Sequence, residues 1–269
     1  MKQRLHTEKL ILTGLMTALI AATTAVIAIP VPFTNGYVHP GDSMIFMAVL
    51  LLGRRRGALA AGLGSALADT LLGYFLWAPF SLVIKAGMAF FTGLIIEKSA
   101  ESRRGLFVSC ASVVGLWFAF NALVGAVVLW ASGADAAAFA AALEAEGNAE
   151  SLTAAVRAIE TRLMAAALLI PAALIAIAAV LRRKENISVP LGHIVGMTGG
   201  GFFMVLGYYV AGGFLYGNFA AAALSIPANI AQFAGGFLLA ALLSAALRKT
   251  AAKRYFIYGA KETEAGKAL

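Results

Sequence analysis

Long apolar runs alternate with short polar clusters along this chain, and the length of the runs decides what fold it can adopt. The runs occupy 9–30, 42–53, 57–77, 79–97, 106–131, 161–182, 190–212 and 219–247. At 1.5 Å per residue, roughly 20 helical residues cross the ~30 Å hydrocarbon layer of a bilayer, and most of the runs are about that long. Eight membrane spans are therefore predicted. The run 42–53 is short for a crossing, so it must lie obliquely, re-enter, or borrow length from the preceding loop. The first run, from Leu10 to Pro30, exceeds the roughly 7–15-residue apolar core of a signal peptide and is predicted to be a retained span. Between the fifth and sixth runs, residues 132–160 are Ala-rich with Asp135, Glu144, Glu146, Glu150 and Glu160. Their apolar residues recur at helical spacing, which predicts a surface helix broken near Gly147 and Asn148.

Composition agrees with lipid as the solvent. Of 269 residues, 61% are hydrophobic and only 13% charged, with a mean hydropathy of +0.86. A soluble core of this length could not hide so much apolar surface. The net charge of +8 does not indicate nucleic acid, because the basic residues form clusters between apolar runs rather than one stripe. Lys and Arg are retained on the cytoplasmic side of short loops. With the N-terminus inside, 18 of the 21 basic residues fall on that side, from Lys2, Arg4 and Lys9 through Arg54–Arg56 to the tail after Arg248. A multi-pass protein of the cell membrane with both termini cytoplasmic is the expected topology.

Polar residues inside apolar runs mark a pair, a cavity or a pathway. Asp69 and Lys85 lie on consecutive antiparallel spans, about 12 and 9 Å below the outer ends by helix rise. They are expected to form a structural ion pair, with ligand contact the other option. In the last run Pro227 removes a backbone donor and disturbs the carbonyl near Ala223. Asn229 and Gln232 follow three apart on one helix face, where their amides suit either the edge of a heterocycle or interhelical hydrogen bonds. The loop PVPFTNGYVHPGD carries Asn35, Tyr37, His39 and Asp42 and has the composition of a gate, although His39 alone reads as an ordinary loop histidine. Gly14, Ala18 and Ala22 recur every four residues on the first span, a spacing that admits another helix, within the bundle or outside it.

Several chemistries are missing from the sequence. Cys110 stands alone, and His6, His39 and His193 have no metal-ligand spacing. No GxxxxGK[ST] loop occurs, so ATP hydrolysis would have to come from a partner. HExxH, GxSxG and paired acid–base carboxylates are also missing, so neither catalytic residues nor a cofactor is expected.

The stretch GYVHPGDSMIFMAVLLLGRRRGALAAGLGSALADTLLGYFLWAPFSLVIKAGMAFFTGLI, Gly36 to Ile95, resembles the substrate-specific (S) component of energy-coupling-factor vitamin importers, in particular the riboflavin type. The stretch MVLGYYVAGGFLYGNFAAAALSIPANIAQFAGG, Met204 to Gly236, resembles that family's closing helix pair. The resemblance implies an all-α six-helix membrane core, here with a two-helix hairpin inserted. Residues 1–105 would hold four core spans, 106–182 the hairpin, 183–247 the last two core spans and 248–269 a basic tail. It also implies capture of a small vitamin outside the cell and import with a transmembrane coupling (T) component and two ATPases. Riboflavin, hydroxymethylpyrimidine, a pyridoxine-like compound and pantothenate all remain candidate ligands. Substrate contacts would come from Asn35, Tyr37, Asp42, Lys85, Tyr208, Asn229 and Gln232 beneath the loop 33–42, with Asp69 in the wall, and Gly14, Ala18 and Ala22 would dock the coupling partner. The alternative is an ion-coupled secondary transporter using Asp69 and Lys85 as coupling charges.

Overall fold

The computed structural model describes residues 2–31, 36–134 and 190–258, with isolated positions 157, 161 and 165. The predicted outer helix 132–160 and the span 161–182 fall largely outside these residues. The described part is almost entirely helical: α1 (Lys2–Val26), a two-stranded hairpin of β1 (Ile29–Val31) and β2 (Gly36–Val38), α2 (Asp42–Leu71), α3 (Ala78–Glu101), α4 (Arg103–Ala134), α5 (Leu191–Tyr216), a four-residue α6 (Phe219–Ala222) and α7 (Ile226–Arg248). Five described helical stretches are long and apolar enough to cross a membrane: Thr7–Val26, Ala78–Glu101, Arg103–Ala131, Leu191–Tyr216 and Phe219–Leu247. Apolar side chains such as Leu15, Leu63, Leu116 and Leu242 point outward, as lipid-facing positions should. The molecule is a polytopic membrane helical bundle.

The two runs 42–53 and 57–77 are one element, α2, broken at Gly53. Gly53 adopts φ 78° and ψ 173°, a backbone open to glycine because a side chain would clash there. Beyond it the chain turns back so closely that a carbon added to Gly57 would stand 3.0 Å from Val49 Cα. The half before the break, residues 42–52, is about 16 Å long, roughly half a bilayer. The second half packs between α1 and α3, with Gly64 against Thr17 and Ile20 and Gly62 against the Leu82 carbonyl.

The predicted span 57–77 stops earlier, at Leu71, and the chain then turns through Gly73, again at positive φ. The Tyr74 and Trp77 amides bond the Asp69 and Tyr74 carbonyls, and Pro79 opens α3 in its first turn, where its missing donor costs nothing. The last run is likewise divided. Asn218 caps α6 by accepting from the Ala220 and Ala221 amides, a 3-10 turn follows at Ala223–Ser225, and Pro227 sits in the first turn of α7. Pro227 therefore starts a helix instead of disturbing one.

The core lies where α2, α3, α5 and α7 meet, with Phe46, Met88, Met197, Phe233 and Phe237 fully buried. Helix α4 joins it along one face: Trp117 is buried and stacks on Phe202 of α5 at 4.3 Å, and Val124 and Val128 are buried further along.

Candidate functional site

The β-hairpin folds over one end of the bundle, and beneath it lies a cavity bordered by the hairpin, α2, α3, α5 and α7. Gly36, Tyr37 and His39 come from the hairpin and its exit, Asp69 from α2, Trp77 and Ser81 from the start of α3, and Tyr208 and Tyr216 from α5. Ser225, Ala228, Asn229 and Gln232 come from the turn before α7 and its first two turns. The cavity volume is about 50 Å³, small beside the roughly 300–1,000 Å³ of clefts that enclose a drug-sized ligand, so a ring enters only if these walls move apart. Its walls are aromatic: Trp77 meets Tyr208 at 5.8 Å and Tyr216 at 6.2 Å between ring centroids, and Tyr37 packs on Tyr74 at 4.7 Å.

Two polar groups divide the site. Behind the wall, Lys85 forms a salt bridge with Asp42, and both side chains are wholly shielded from solvent. Gln232 donates to the other Asp42 oxygen at 3.0 Å, and its own amide oxygen accepts from the His39 backbone N–H at 3.2 Å. Lys85 Nζ also lies 2.9 Å from Met204 Sδ and 5.4 Å from the centre of the Tyr208 ring. Helix α7 can come this close to the start of α2 because residue 236 is glycine, where an added carbon would stand 2.7 Å from Asp42 Cβ. A buried charge is tolerable only when paired and hydrogen-bonded, and here each carboxylate oxygen has its own donor.

The second group faces the cavity. Tyr37 OH donates to Asp69 Oδ1 at 2.6 Å, while the buried Oδ2 accepts no hydrogen bond among the described residues, although Ser81 is adjacent. The Ser81 hydroxyl pairs with Tyr208 OH at 2.9 Å. Burial, and next the hydrogen bond to Asp69, hold the Tyr37 phenol well above its ordinary value, so it stays a donor. Burial pushes the His39 imidazole down to about 3, with the Lys85 charge adding to the shift and Asp42 opposing it. His39 is therefore neutral, and its Nδ1 accepts from the Gly41 amide at 3.1 Å.

This geometry corrects the expected ion pair. Lys85 pairs with Asp42 rather than Asp69, and Asp69 bonds to Tyr37. Neither Asp42 nor Lys85 borders the cavity, so their expected place among the substrate contacts becomes a place in the support behind it. Tyr37, Tyr208, Asn229 and Gln232 do border it, as does Asp69, whereas Asn35 lies outside the described residues. The sequence reads His39 as an ordinary loop histidine and gives no site role to Trp77, Ser81 or Tyr216, yet all four border the cavity. The two aromatics carried a usable signal, since both sit at helix ends, but there an interfacial anchor is the default reading. Gly14, Ala18 and Ala22 are exposed on α1, and an added carbon at Gly14 would meet nothing within 4 Å.

A multi-pass helical bundle with an aromatic cavity under a β-lid, and with its only buried ion pair among the described residues sealed behind the cavity wall, has the architecture of a ligand-binding transport subunit. A sequence model of the family described as ECF-type riboflavin transporter, S component, matches residues 4–168 and 158–249, and the chain belongs to that family. The family is the substrate-binding subunit of a transporter and not an enzyme. An uncharacterized protein in gap 3'region from Pyrococcus woesei is 47% identical over 66 residues, 24% of this chain and 44% of that protein. The chain thus spans less than half the length of that relative. No solved structure matches the chain.

Proposed function

We propose that this protein captures a small aromatic heterocycle, of which riboflavin is the family's type, from outside the cell and delivers it to the cytoplasm as the S component of an ATP-driven importer. The observation that carries the reading is the cavity beneath the hairpin, where aromatic walls meet a few placed polar groups: Asp69, Asn229 and Gln232. Stacking surfaces with a few donors and acceptors are what a heterocycle requires. Asp69 is the one charged side chain among the described cavity residues, and Lys85 is sealed behind the wall. A neutral or cationic ligand with a donor for Asp69 fits this lining best. Carboxylated and phosphorylated relatives meet a like charge with no open cation to offset it.

The basic residues put the Arg54–Arg56 end of the bundle in the cytoplasm, with both termini there and the hairpin outside, in a scheme of six core spans plus the pair within 106–182. A T component and two ATPases supply the energy, and the exposed Gly14, Ala18 and Ala22 stripe on α1 is the docking face. An ion-coupled carrier would need Asp69 and Lys85 as exchanging charges, and a Lys85 sealed against Asp42 gives that reading no support.

The test is fluorescence titration of the purified protein with riboflavin and with its 5′-phosphate, beside native mass spectrometry of ligand that copurifies. Riboflavin should bind at least about tenfold more tightly than the phosphate. Tighter binding of the phosphate, or a copurifying carboxylate, would overturn the assigned ligand class.

A further inference from the structure

The break at Gly53 leaves two backbone groups that a continuous helix would pair with each other, the Leu50 carbonyl and the Arg54 amide. Both are taken up by the segment after α7. Ile257 N–H donates to the Leu50 carbonyl at 3.0 Å, and the Arg54 N–H donates to Tyr258 OH at 3.2 Å. The same hydroxyl donates to Glu97 Oε1 of α3 at 2.8 Å, and Glu97 pairs with the Arg54 guanidinium at 3.3 Å. From α7, Arg248 donates to the Tyr258 carbonyl at 2.8 Å and lies over the Phe256 ring at 4.6 Å. Phe256 is buried, and Tyr258 also meets the His193 ring of α5 at 6.3 Å. Three residues thus fasten α2, α3, α5 and α7 at one end of the bundle. They lie beyond residue 249, where the family match ends.

We infer that Phe256–Tyr258 is a latch: it supplies the hydrogen bonds missing at the Gly53 break, and its release frees the short half-helix 42–52. That half-helix is a lever about 16 Å long. One end carries Leu50, held by the latch, and the other carries Asp42, held by Lys85 and Gln232. A tail segment at the Arg54–Arg56 end is thereby coupled to the groups behind the cavity. Coupling of this kind is reciprocal: what loosens one end must loosen the other by the same free energy.

The experiment needs no ligand, so its outcome is separate from the assigned function. Amide hydrogen exchange is followed in the full chain in lipid nanodiscs, for the natural sequence, Tyr258→Phe and Phe256→Ala. Tyr258→Phe removes one hydroxyl and is expected to fold, and Phe256→Ala releases the latch by a second route. In both, exchange at Arg54 and Ile257 should accelerate roughly five- to tenfold, with a smaller rise at His39 and Ser43–Ile45, while the centre of α5 stays unchanged. Gln232→Ala, at the far end, should in turn accelerate exchange at Ile257. No change at Arg54 in either variant overturns the latch. Acceleration confined to Arg54 and Ile257 overturns the coupling, and an equal rise throughout α3 and α5 reduces the tail to ordinary packing.

Discussion

Asp42 and Asp69 are both carboxylates on α2, at opposite ends of it, yet their surroundings differ in kind. Asp42 has a donor for each oxygen, from Lys85 and Gln232, and is closed off from the cavity. Asp69 has Tyr37 on one oxygen and, among the described residues, only the adjacent Ser81 near the other, and it faces the cavity. A satisfied buried group stabilises the fold that satisfies it, whereas an unsatisfied one is costly until something supplies the missing bond. The difference separates scaffold from site more sharply than residue type or depth in the membrane does.

The largest effect should come from breaking the satisfied side. Lys85→Met leaves Asp42 buried without its cation, and removing one partner of such a pair costs about 3–5 kcal/mol. Thermal unfolding in detergent should register it, with partial recovery in Asp42→Asn/Lys85→Met. A Lys85→Met protein as stable as the natural one would erase the distinction. On the other side, Asp69→Asn and Asn229→Ala should fold with little loss of stability and bind riboflavin more weakly by about 1–3 kcal/mol, or one to two decades in Kd. Unchanged titrations in both would move the binding groups elsewhere.

His39 joins the two regions, bonded through its amide to Gln232 and bordering the cavity with its ring. Its imidazole is held near 3 in the fold, against 6.5 ordinarily. Between those values the unfolded chain takes up a proton that the native site refuses. The His39 contribution is thus complete above pH 6.5 and shrinks as the pH falls toward 3. Melting temperatures measured from pH 7 to 4 should fall less steeply in His39→Asn, whose amide oxygen can still accept from Gly41. The smallest effect on the isolated protein is expected from Ala18→Leu and Ala22→Leu. Riboflavin binding should be unchanged while uptake by the assembled transporter weakens, because the bulk holds a docking helix away. A fall in affinity instead would make the stripe part of the internal packing.

The contrast between the two aspartates was only half legible in the sequence. Helix rise puts Asp69 and Lys85 at similar depths, but depth says nothing about which way each side chain points around its axis. Lys85 turns toward α7 and the start of α2, where Gly236 permits the approach of Asp42. Asp42 read as a loop residue because it closes the Pro- and Gly-rich stretch PVPFTNGYVHPGD, whose three-residue strands are too short to signal a hairpin that lowers it into the bundle. Asn229 and Gln232 were legible, since spacing of three on a helix fixes a shared face and both border the cavity. The apolar runs gave the helices, while the break at Gly53 was hidden because a glycine beside three arginines reads as an ordinary loop between spans. The bonds from Ile257 and Tyr258 could not be anticipated at all, because they join segments about 200 residues apart in sequence.

The half-length of α2 before Gly53 has one more consequence. A full span there would have run on past Asp42 and filled the space beneath the hairpin with its own side chains. Ending the helix at Asp42 leaves that space to be lined by the hairpin and the starts of α3 and α7, and a ligand bound there would add interior contacts of its own. Binding and folding then draw on the same contacts. The melting temperature should rise with the logarithm of ligand concentration above Kd, and the hairpin should be the first element to loosen when the ligand leaves.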